Sequence, residues 1–103
     1  MLFITYWELN PQMDPSALAD AAQIILNKKL YPTEGVTQHT WLISADGYWG
    51  ITVSEAETVE QLAKDVAVWK VAHPGLFTAF KSSPAMEPGK MIPLIMKIKK
   101  QLE

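Results

Sequence analysis

Val36-Thr37-Gln38-His39-Thr40-Trp41-Leu42-Ile43-Ser44-Ala45-Asp46-Gly47-Tyr48-Trp49-Gly50-Ile51-Thr52-Val53 is the stretch that decides the fold. Two runs, residues 36–44 and 48–53, are rich in β-branched and aromatic side chains, which suit a pleated, half-buried surface. Between them stands Asp46-Gly47, a pair in which both residues tolerate positive φ. The segment therefore predicts two antiparallel strands joined by a tight turn. Simple alternation puts His39, Trp41 and Ile43 on one face of the first strand, with Val36 and Leu42 on the other. In the second strand Trp49, Ile51 and Val53 share a face and Tyr48 lies opposite.

On the N-terminal side of this hairpin, Tyr31-Pro32-Thr33-Glu34-Gly35 reads as a loop, because Pro and Gly both break helices. Before it, Asp14-Pro15 offers an N-cap followed by Pro at the first helical position. Leu18, Ala21, Ala22, Ile25 and Leu26 then recur at helical spacing, which predicts a helix over residues 15–29. Residues 2–9 are an apolar and aromatic run too short for a helix, hence a strand. On the C-terminal side, Ser54 with Glu57 and Thr58 with Gln61 both fit a capping box. Thr58 fits better, since Val59, Leu62, Ala63, Val66, Trp69 and Ala72 then form one stripe. His73-Pro74-Gly75 ends that helix, and residues 76–81 read as a fourth strand. A last helix spans about 88–102, opened by Pro88 with Pro93 inside it, or by Pro93 itself. Its apolar stripe is Met91, Leu94, Ile95, Ile98 and Leu102.

The order β-α-β-β-α-β plus a helix is that of a ferredoxin-like α+β fold, with two helices on one face of a four-stranded antiparallel sheet. The uncovered face of such a sheet is ordinarily polar. Here both faces carry large apolar groups: Leu2, Ile4 and Tyr6 on one side of the first strand, Phe3, Trp7 and Leu9 on the other. In the fourth strand Leu76 and Phe80 oppose Phe77. A monomer would expose more than the few hundred Å² that soluble chains tolerate, roughly. Covering the second face with an identical sheet gives a two-fold homodimer; packing the last helix on its own sheet is the alternative.

Composition narrows the possible functions. A chain of 103 residues with 49% hydrophobic residues and ten aromatics is one domain, residues 1–103, with enough apolar area for a core. There is no Cys, so disulfides, thiolate metal sites and a Cys nucleophile are excluded. The net charge of −2 argues against nucleic acid as a partner. The start Met1-Leu2-Phe3-Ile4-Thr5-Tyr6-Trp7-Glu8 lacks the features of a secretory signal, and no apolar run reaches the roughly 20 residues that span a bilayer. The expectation is a soluble, cytoplasmic protein without a membrane partner.

Four fragments carry a family resemblance: Met1-Leu2-Phe3-Ile4; Pro32-Thr33-Glu34-Gly35-Val36; Trp41 with Asp46-Gly47-Tyr48-Trp49-Gly50 and Glu55-Ala56-Glu57; and Pro74-Gly75-Leu76-Phe77 with Ser83-Pro84-Ala85-Met86. Together they span most of the chain, which resembles a family of short, uncharacterised proteins of the dimeric α/β-barrel superfamily. The resemblance implies a homodimer whose two sheets meet face to face. The wider superfamily includes cofactor-free monooxygenases, haem-degrading enzymes and lactone isomerases, whose sites lie between sheet and helices. Related sequences often have Arg just before the Trp of the second strand; this chain has Thr40 there.

Candidate chemistry is sparse. His39, beside Trp41 on simple alternation, is the residue suited to act as a general base near neutral pH; its other reading is a histidine bonded in a sheet or seam. Tyr6, Trp41, Trp49 and Trp69 could wall a pocket for a flat apolar ligand, or fill the core and dimer seam. His73, at a helix C-terminus, suits a capping role. No spacing brings His39 and His73 together with a carboxylate, so no metal site is expected, and no Gly-rich phosphate cradle exists. Glu55, Glu57 and Glu60 read as a solvated helix start. The reading is a homodimer without a cofactor that binds an apolar or aromatic small molecule. The alternative is a cofactor-independent monooxygenase or isomerase with His39 as base.

Overall fold

The burial of β1 (Leu2–Leu9) alternates strictly: Phe3, Thr5, Trp7 and Leu9 are buried, while Leu2, Ile4, Tyr6 and Glu8 face the other way. In the computed structural model, which covers residues 1–103, β1 lies inside a four-stranded antiparallel sheet. Its neighbours are β3 (Trp49–Glu55) and β4 (Phe77–Pro84), and β2 (Thr37–Ile43) flanks β3, giving the order β2-β3-β1-β4. Two helices, α1 (Pro15–Asn27) and α2 (Val59–Ala72), cover the face of Phe3, Trp7 and Leu9. This is the expected ferredoxin-like βαββαβ order, followed by α3 (Pro88–Leu102).

The caps form as the sequence predicts. Asp14 accepts from the Ser16 backbone N–H at 2.7 Å ahead of Pro15. Thr58 and Gln61 make the reciprocal capping box of α2, both bonds at 3.2 Å. Helix α1 ends two residues sooner than expected. Lys29 takes φ +56°, and the N–H groups of Lys29 and Leu30 turn back to the carbonyls of Leu26 and Ile25. This is a Schellman stop with Lys where Gly is usual. The hairpin between β2 and β3 is a five-residue loop, residues 44–48, rather than a tight two-residue turn. Gly47 has φ +81°, and the Asp46 carboxylate accepts from the Ser44 hydroxyl and the Tyr48 amide.

Two irregularities re-aim side chains that simple alternation misplaces. In β2 the register slips between Gln38 and Thr40: Gln38 pairs with Ser54, but Thr40 pairs with Val53 and Trp41 with Thr52. His39 is the extra residue of this bulge. Trp41 therefore turns to the helix side, whereas His39 meets Glu55 on the open side, so the two do not share a face as alternation required. In β4 the register shifts beside Glu8 and Leu9, with Leu9 opposite Phe77 and Trp7 opposite Phe80. Both phenylalanines consequently lie on the helix side, their rings 4.9 Å apart, and not on opposite faces.

Helix α3 begins at Pro88 and accommodates Pro93 in its interior. None of its residues is buried. It runs off the body of the molecule: the radius of gyration is 16.1 Å and the longest dimension 52 Å, where a compact chain of this length has a radius of about 13 Å. The alternative in which the last helix covers its own sheet is thus not the arrangement present. On the open face Ile4 is 42% exposed, Trp49 47% and Leu42 60%.

Candidate functional site

Between the sheet and α2 lies a narrow slot, built largely of aromatic rings. Tyr31, from the loop after α1, Trp41 of β2 and Trp69 of α2 pack edge to face, with centroids 5.2 to 5.9 Å apart. Such offset contacts exploit the ring quadrupoles. Trp7, Phe77 and Phe80 continue the wall in a second edge-to-face chain. The cavity volume of the slot is only about 20 Å³, room for a single water. Anything larger must part the rings.

Gly50 sets the depth of this wall. It lies opposite Trp7, and a side chain there would come within 2.5 Å of both the indole ring and the Leu42 carbonyl. The missing Cβ lets Trp7 lie against the β3 backbone.

The lining also includes polar groups. Asp65 of α2 is only 4% exposed. One of its oxygens accepts from the Thr33 backbone N–H at 2.8 Å, and the Thr33 hydroxyl also acts on the carboxylate. Burial pushes its carboxyl above the ordinary value of 3.8, while the Thr33 amide and hydroxyl oppose that shift. Gln38 Nε2 donates to the Tyr31 hydroxyl at 2.7 Å. Burial first, and then the nearby Asp65 charge, push that phenol up to about 12. Thr52 and Thr5 complete the polar lining, and the Thr5 hydroxyl is 2.8 Å from that of Ser82.

Of the residues singled out from sequence, Trp41 and Trp69 meet in the slot. Tyr6 and Trp49 lie across the sheet on the open face, with ring centroids 6.3 Å apart. His39 is on that open face too, its Nε2 2.8 Å from Glu55 Oε1, with both side chains about half exposed. The His39–Trp41 pair of the enzymatic alternative is therefore separated by the sheet. His73 is the C-cap residue of α2, and its carbonyl accepts from the Leu76 N–H. No three His, Cys, Asp or Glu side chains converge, and no helix is long and apolar enough to cross a membrane.

Sequence reading missed Asp65, Tyr31 and Gln38. The signal for Asp65 was present: it stands three residues after Leu62 and four before Trp69, inside the stripe that faces the sheet. A carboxylate there is either buried or the stripe is wrong.

Comparison with known proteins places this architecture. Residues 1–99 match the family described as domain of unknown function DUF3303, and the chain belongs to that family. No protein of curated function matches it. Among solved structures it is similar to a putative antibiotic biosynthesis monooxygenase from Nitrosomonas europaea, at 14% identity over 84% of this chain and 97% of that one, with TM-score 0.58. It is also similar to 5-chloro-2-hydroxyhydroquinone dehydrochlorinase from Burkholderia phenoliruptrix in complex with 2,5-dihydroxybenzoquinone. That likeness is at 18% identity over 87% and 98% of the two chains, with TM-score 0.58. A Mycobacterium tuberculosis protein follows at 16% identity over 84% and 96%, with TM-score 0.50. At these identities the likeness is one of fold: the ferredoxin-like α+β architecture of antibiotic-biosynthesis-monooxygenase type.

Proposed function

We propose that this member of the DUF3303 family is a homodimer that binds a flat, largely apolar aromatic molecule in the slot between sheet and helices. The observation that carries the reading is the ring wall of Tyr31, Trp41 and Trp69 closing over the buried carboxylate of Asp65. That a structural neighbour of the same fold carries a dihydroxybenzoquinone supports flat rings as the ligand class.

The test is a titration of the purified protein with one-ring aromatics, followed through the indole N–H resonances. Binding in the slot moves the signals of Trp41 and Trp69 and leaves that of Trp49, across the sheet, in place. Unmoved Trp41 and Trp69 signals at millimolar ligand would remove the proposal.

The dimer rests on a separate observation. The open face exposes Ile4, Leu42 and Trp49, and α3 presents an apolar stripe with nothing of its own subunit against it. A second copy covers both: sheet meets sheet, and each α3 extends over its partner. Light scattering on a size-exclusion peak is expected to give twice the 11.5 kDa chain mass. A monodisperse monomer would overturn this part and leave the slot untouched.

A further inference from the structure

We infer that His39 and Glu55 couple the association of two copies to pH: each His39 takes up a proton as the open sheet faces meet, and the dimer tightens between about pH 8 and pH 6. The inference rests on the dimer proposed above, and it names the groups that regulate it. The bulge in β2 takes His39 out of the strand's alternation and sets its ring against the Glu55 carboxylate, 2.8 Å away. Both side chains are about half exposed, so water solvates the pair in a separate subunit. The surroundings are apolar. Glu55 stands opposite Leu2 of β1, Ile4 stands opposite Val53, and Leu42 opposite Ile51, all on the face that a second copy has to cover.

A sheet laid over this face strips water from the Glu55 carboxylate. A carboxylate out of water is costly unless a positive partner goes with it. Neutral His39 gives it one N–H and leaves a net negative charge in the seam. Protonated His39 brings the pair to zero. The associated copies therefore hold the His39 proton more tightly than separate ones, and linkage turns that difference into tighter association as pH falls. The other ionisable groups on this side are few. Tyr6 and Glu8 of β1 and Lys81 of β4 share the open face. The Met1 amino group lies at the same end of the sheet as Glu55, where it donates to the Ala56 carbonyl at 2.6 Å. An α-amino group also exchanges its proton near neutral pH, so the test separates it from His39. His73, the other histidine of the chain, caps α2.

Sedimentation equilibrium of the full chain, at one ionic strength across the range, reads the coupling directly. The dissociation constant is expected to be about tenfold lower at pH 6 than at pH 8. Where the dimer resists dilution, the urea midpoint of its dissociation reads the same shift. His39→Gln keeps an N–H for Glu55 but takes up no proton, so its dimer should stay at one strength throughout. Glu55→Gln is expected to invert the response, because a protonated His39 then enters the seam without its counter-charge. His73→Gln should respond like the unaltered protein. A dimer whose strength ignores pH, or a response that survives in His39→Gln, overturns the inference and leaves the dimer standing; a surviving response would belong to Met1 or His73. A monomer at every pH removes the dimer reading, and the inference with it.

Discussion

His39 Nε2 lies 2.8 Å from Glu55 Oε1 across adjacent strands, on the sheet face turned away from the helices. The pair exists because the bulge at His39 swings this ring out while Trp41 swings in. His39→Ala is therefore expected to leave aromatic binding in the slot unchanged within error. Its cost to subunit stability should stay below about 1 kcal/mol, since exposed pairs are screened by water. Chemical denaturation and the indole titration measure both. A loss of slot binding would restore His39 to the site and contradict the geometry.

Trp49 stands in the middle of the open face, packed beside Tyr6 and nearly half exposed. Trp49→Asp places a charge where a second sheet should lie and removes a large aromatic anchor. The expected result is a folded monomer by light scattering, with far-ultraviolet circular dichroism unchanged. Ile95→Asp on α3 should weaken the dimer in the same direction, because that residue sits on the helix stripe.

Gly50→Ala brings a methyl within 2.5 Å of the Trp7 ring and of the Leu42 carbonyl. The carbonyl belongs to the sheet ladder and cannot retreat, so the indole must move. Overpacking of this kind costs about 1–3 kcal/mol. The change should lower the unfolding midpoint and alter near-ultraviolet circular dichroism, since Trp7 heads a chain of packed rings. A neutral effect would mean that Trp7 is free to shift.

Tyr31 keeps its proton in the fold well past the ordinary value of 10.0, up to about 12. Below pH 10 both folded and unfolded chains hold the proton, and this group makes stability independent of pH. Between 10 and 12 the unfolded chain has lost it and the folded chain has not, so stability falls as pH rises. The loss amounts to about 3 kcal/mol once both forms are ionised. Tyr31→Phe is expected to flatten that alkaline limb in denaturation curves taken across the range. Asp65 acts with the same sign at the acid end: burial raises its carboxyl above 3.8, so its charge subtracts stability as pH climbs past that value. Asp65→Asn should flatten this second limb.

Much of the architecture was legible in the chain alone, because it depends on local chemistry. Asp14-Pro15, the Thr58–Gln61 box, Asp46-Gly47 and the stripe of Leu18, Ala21 and Ile25 each act within a few residues, so spacing reveals them. The order of the elements then admits few topologies, and the observed sheet is the expected one. Two-sided apolarity was also readable, since alternation along β1 needs no partner to be seen.

The site required the tertiary structure. A bulge is one residue of misregister between two strands, and nothing local to Gln38-His39-Thr40 announces it, yet it parts His39 and Trp41, which alternation puts on one face. The shift opposite Leu9 has the converse effect and brings Phe77 to the face of Phe80. Asp65 and Tyr31 come from a helix and a loop, and only packing brings them to one slot, with Gln38 of a strand bonded to Tyr31. Lys29 in a left-handed helix stop has the same origin, for the fold holds it where Gly would be at ease. What spacing determines is which faces a segment has; what only the assembled sheet decides is which residue lands on each, because register is a relation between strands.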